Sequence, residues 1–125
     1  KFFKKYENLI NINDYNYVLD ESKKYLDKKK INKRYIVYVP SWQKLSLYKL
    51  KKFNLYEKHP QIKQLNKLKA DVKIIAEKNG FHFLDSDKYF FMLKNPLKVF
   101  HYELNTHFNQ LGNDVLSNAI VENLN

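Results

Sequence analysis

The segment Asn105-Thr106-His107-Phe108-Asn109-Gln110-Leu111-Gly112, just before the last apolar stretch, is the candidate site of this chain. It combines an imidazole, the side chain that exchanges protons near neutral pH, with amides able to hydrogen-bond it. Glu103 is the nearest acid. The competing reading of His107 is a histidine that caps or packs near a helix start. The other candidates read as structural. Ser41 follows Pro40 at a strand end, where Pro-Ser starts a helix, and Trp42 reads as packing. His82 alternates within an apolar strand and reads as a core or interface histidine. His59 and His101 read as solvent-facing or hydrogen-bonded loop residues. Asp85 and Asp87 fit a turn after a strand better than a metal site. No His or carboxylate pair has zinc-ligand spacing, and with no cysteine there is no thiolate site, disulfide or thiol nucleophile. No metal and no cofactor are expected.

The elements that must position this segment are legible as alternating helix and strand. Residues 1–13 are a mixed apolar and basic lead-in. Asp14 is a candidate N-cap, and Tyr15, Val18, Leu19, Ser22, Tyr25 and Leu26 form a helical stripe. Lys28 to Lys30 suit its C-terminus. The run Tyr35–Val39 predicts a strand buried on both faces, ended by Pro40. Residues 41–60 read as a long excursion with some helical turns. Pro60 starts a helix through Ile62, Leu65, Leu68, Val72, Ile75 and Ala76, with Gly80 as its left-handed cap. A second short buried strand is expected at Phe81–Leu84, then an aromatic-rich loop over 88–104 broken at Asn95-Pro96. Leu111, Val115, Leu116, Ala119, Ile120 and Leu124 predict a terminal amphipathic helix. The fold class is therefore α/β, with a small, mainly parallel sheet. So thin a sheet would leave edges open. Either the lead-in adds a strand, or residues 1–125 are the C-terminal half of a larger domain, which is the favoured expectation.

Composition sets wider limits. The chain has 125 residues, 44% of them hydrophobic and 16% aromatic, enough for a core and against disorder. No apolar run reaches the roughly 20 residues of a transmembrane helix. The net charge is +10, and residues 31–80 hold twelve basic side chains against three acidic ones. Arg34 is the single arginine. Because arginine, not lysine, makes the bidentate contacts of base and phosphate readout, a nucleic-acid partner is not expected. Lysine, asparagine, isoleucine, tyrosine and phenylalanine are also what AT-rich codons favour, so a solvated lysine face is the simpler reading.

The block ending at Gly112 resembles the C-terminal block of SGNH (GDSL-type) hydrolases and acyltransferases, and is closest in form to polysaccharide O-acetyltransferase relatives. The strand ending in Pro40-Ser41, the helix, glycine and strand over Leu68–Leu84, and the helix after Gly112 agree in order. The resemblance implies a three-layer α/β/α, flavodoxin-like architecture. It implies His107 as the base that activates a serine, with Asn105 in the place of the orienting Asp and Glu103 as the alternative orienter. Gly112 would let the loop approach the helix. The family's Gly-Asp-Ser nucleophile block does not occur in these residues, so the missing N-terminal half would have to supply it. By resemblance the complete domain is an esterase or O-acyltransferase that moves or removes an acyl group, such as acetyl, on a carbohydrate, in the cell envelope or another extracytoplasmic setting. The alternative is a non-catalytic SGNH-like module whose lysine-rich middle binds an acidic glycan, a nucleic acid or an anionic surface.

Overall fold

A computed structural model describes residues 12–101 and 107–124. In chain order the elements are α1 (Ile12–Lys28), β1 (Tyr35–Tyr38), α2 (Trp42–Leu47), a first 3₁₀ helix (Tyr48–Phe53) and α3 (Pro60–Lys78). After them come β2 (His82–Asp85), α4 (Asp87–Phe91), a second 3₁₀ helix (Pro96–Val99) and α5 (Gln110–Asn123). The fold is mixed α/β. β1 and β2 pair in parallel register, with the His82 amide donating to Arg34 O at 2.8 Å and the Ser86 amide to Tyr38 O at 3.2 Å. The chain divides into two compact units, residues 12–36 with Leu68–Phe83, and Val37–Lys67 with the described residues from Leu84 onward.

The first unit is built around Leu19, Ala76 and Phe81, against which Tyr15, Leu26, Ile36, Ile75 and Phe83 pack. α1 starts two residues before Asp14, so Asp14 lies in its first turn instead of capping it. Its buried stripe is narrower than the sequence suggests: Val18 and Tyr25 are more than half exposed. Tyr15, Leu19 and Leu26 repeat at four and seven residues and line one face. Lys30 ends the helix in the left-handed region (φ 57°), and Gly80 does the same after α3 (φ 81°). The lone arginine is structural. Arg34 is buried, its Nη2 ion-paired with Asp27 and its Nε donating to Ile31 O at 2.7 Å.

The second unit has the larger core: Leu45, Phe90, Val99 and Phe100, surrounded by Val39, Trp42, Phe91, Leu93, Leu97, Phe108, Val115 and Leu116. Ser41 caps α2 by accepting the Lys44 amide, and Trp42 packs into the core, both as expected. The region after Asp85 is not simply a loop: it forms α4 and the second 3₁₀ helix, because Phe90 and Val99, both fully buried, need regular backbone around them. A buried ion pair sits inside this unit. Lys44 is 1% exposed and its Nζ is ion-paired with Asp87 of α4, while lying 5.1 Å from the centre of the Tyr38 ring.

Three expectations about burial need correction. β1 is not buried on both faces; all four of its residues are half-buried, because among the described residues the sheet has only two strands. β2 starts at His82, and His82 is exposed, its ring tilted against Tyr35 at 5.2 Å instead of entering a core. On α5, Ala119 is buried and Val115 and Leu116 pack inward, but Leu111 and Leu124 are exposed. The lead-in, with its option of a further strand, lies outside the described residues.

Two outcomes test this account. Removing one partner of the buried pair, as in Lys44→Met, should cost about 3–5 kcal/mol in urea unfolding, and adding Asp87→Leu should recover much of that loss. The second concerns pH. Hydrogen bonds from Lys23 and then Arg34 hold the Asp27 carboxyl below its ordinary value of 3.8. A lowered folded-state pKa contributes stability above the ordinary value that is lost as pH falls through the lowered one. Asp27→Asn should therefore be less stable than the parent at pH 7, and the gap in melting temperature should close in acid.

Candidate functional site

The start of α5 is tied down by one asparagine. Asn109 is the N-cap of α5, with extended backbone and its Oδ1 accepting the Gly112 amide at 3.1 Å. Its Nδ2 donates to Lys98 O at 2.6 Å and to Phe100 O at 3.2 Å, and its own amide donates to Val99 O at 2.8 Å. One residue thus ties three consecutive carbonyls at the end of the second 3₁₀ helix to the first turn of α5. The side chain spends its acceptor on the helix and both amide hydrogens on the neighbouring segment.

Apolar packing seals the same junction. Phe108 forms an isolated antiparallel bridge with Phe100, and its ring lies 5.2 Å from Phe90 and 5.3 Å from Phe100. A Cβ on Gly112 would fall 2.7 Å from Val99 O and 2.8 Å from the Phe108 ring. Only glycine lets the helix start come this close to the backbone before it. The close approach expected of Gly112 is present, and Gly112 lies in the first turn of α5.

His107 sits immediately before this anchor. Its carbonyl accepts the His101 amide at 3.2 Å, so its main chain is held while the residue is exposed. Glu103 and Asn105, the two candidate orienters, lie outside the described residues.

The remaining candidates are dispersed into structural roles. Ser41 Oγ accepts the Lys44 amide, and Ser86 Oγ donates to Tyr38 O at 2.6 Å in a fully buried position. The His59 ring accepts the Gln61 amide through Nδ1 at 3.2 Å, at the start of α3. His101 is exposed. Asp85 accepts the Asp87 amide at 3.0 Å, the turn contact expected of it, but Asp87 goes further and neutralises Lys44. Among the described residues no group of His, Cys, Asp or Glu could hold a metal ion. No helix among them is long and apolar enough to cross a membrane. Sequence reasoning missed the role of Asn109 in pinning the second 3₁₀ helix. The available signal was an N-cap residue three positions before a glycine.

Comparison with family models, with curated proteins and with solved structures gives no match.

Asn109→Ala should destabilise the chain by about 1–2 kcal/mol, since it removes the cap and two further hydrogen bonds. Gly112→Ala should also destabilise, by about 1–3 kcal/mol, although alanine is the better helix former. Chemical denaturation of both variants checks the pair; a stabilised Gly112→Ala protein would contradict the close approach.

Proposed function

We propose that this chain is the histidine-bearing part of an SGNH-like acyl-ester hydrolase or O-acyltransferase, in which His107 is the general base. The observation that carries the reading is the anchored start of α5. Asn109, Phe108 and Gly112 fix the backbone on which an exposed His107 stands. This agrees with the likeness of the Asn105–Gly112 block to that family.

In this reading the complete domain is a three-layer α/β/α fold, and β1 and β2 belong to its parallel sheet. His107 takes the proton from a serine hydroxyl supplied by a segment outside these 125 residues. The serine oxygen attacks the acyl carbon, and the imidazolium then returns its proton to the leaving alcohol. Asn105 or Glu103 holds the ring so that the correct nitrogen faces the serine. The acyl group, acetyl being the simplest, is transferred to water or to a carbohydrate hydroxyl.

The test is hydrolysis of p-nitrophenyl acetate and of an acetylated oligosaccharide by the full-length protein. His107→Ala should lower kcat by about 10²–10⁴, the usual contribution of a general base. Its melting temperature should stay close to the parent's, because the residue is exposed. Full activity in His107→Ala, or a full-length protein without a Gly-Asp-Ser block, would refute the assignment.

A further inference from the structure

The second unit contains a cleft that the histidine site does not use. It has a volume of about 510 Å³ and lies between the first 3₁₀ helix and the turn that leads into the second. Its floor is apolar: Leu45 is buried, and Leu93 and Leu97 pack against the core from the cleft side. Its rim is cationic: Lys49, Lys51, Lys52 and Lys94 line it, and no acidic residue does. The volume is within the roughly 300–1,000 Å³ typical of small-molecule sites.

The lysines are not neutralised as a group. Lys51 pairs with Glu57, an exposed pair of the kind that contributes little. Among the described residues, Lys49, Lys52 and Lys94 have no ion pair. Lys49, Lys52 and Lys94, three like charges around an apolar recess, repel one another, and a bound anion would relieve that repulsion. We propose that this cleft binds a single-chain anionic amphiphile, its hydrocarbon chain on Leu45, Leu93 and Leu97 and its carboxylate or phosphate head among Lys49, Lys52 and Lys94.

Two observations favour this occupant over a nucleic acid. The lining has no arginine for bidentate phosphate contacts. Its one aromatic residue, Tyr48, is stacked on Phe91 at 4.1 Å, so one ring face is already taken. A recess of about 510 Å³ also suits one chain better than a flat bilayer surface. The proposal does not depend on the hydrolase reading.

The experiment is titration of the full chain with dodecyl phosphate below its micelle-forming concentration. It is followed by calorimetry and by emission of the single tryptophan, Trp42, which packs on the same core cluster as Leu45 and Leu97. One molecule should bind per chain, at least about tenfold more tightly than inorganic phosphate or dodecanol. The Lys49→Gln/Lys52→Gln/Lys94→Gln variant changes exposed side chains only, so it should keep its melting temperature while losing about tenfold or more in affinity. Three results would overturn the proposal: equal binding of inorganic phosphate, undiminished binding by the triple variant, or binding to anionic phosphatidylglycerol vesicles with none to the monomeric amphiphile.

Discussion

The second unit depends on one buried ion pair. Lys44 and Asp87 are 43 residues apart in sequence, and both carry charge in a buried position. Desolvating one such charge costs several kcal/mol, so a state in which α2 and α4 separate is strongly disfavoured. The pair joins the two helices that leave β1 and β2, and Leu45 and Phe90 stand beside its members in the core. Hydrophobic burial supplies most of the stabilisation there. The ion pair adds a requirement on which helices meet, because apolar surfaces alone tolerate many arrangements.

That fixed framework anchors the start of α5. The second 3₁₀ helix contributes Val99 and Phe100 to the core, so the carbonyls of Lys98, Val99 and Phe100 are held in place. Asn109 then uses them as anchors, and Phe108 and Gly112 close the remaining space. Positioning therefore passes from core to backbone to the helix start, and the exposed His107 just before it has its carbonyl held by the His101 amide.

The basic charge divides into distinct populations. Arg34 is consumed by Asp27 and by the Ile31 carbonyl, and Lys44 by Asp87. On α1, Lys23 and Lys24 pair with acids one turn away. Net charge alone therefore says little about a partner. What matters is where charge is left without compensation beside apolar surface, and the cleft rimmed by Lys49, Lys52 and Lys94 is such a place.

The sequence by itself determined the alternation of helix and strand, the start of α3 at Pro60 and its end at Gly80, and the Ser41 cap of α2. It also marked the stretch before α5 as the place to look for chemistry. These features follow from local rules: the missing amide of proline, the left-handed freedom of glycine, and the side-chain oxygen that replaces a lost helical partner. Only the tertiary structure decided that His82, Val18, Tyr25 and Leu111 face outward while a lysine is buried. It alone showed that Asn109 caps α5 and ties it to the carbonyls of Lys98 and Phe100. Burial and hydrogen-bond partnership depend on residues tens of positions away, and periodicity along the chain carries no record of which distant segment will cover a given face.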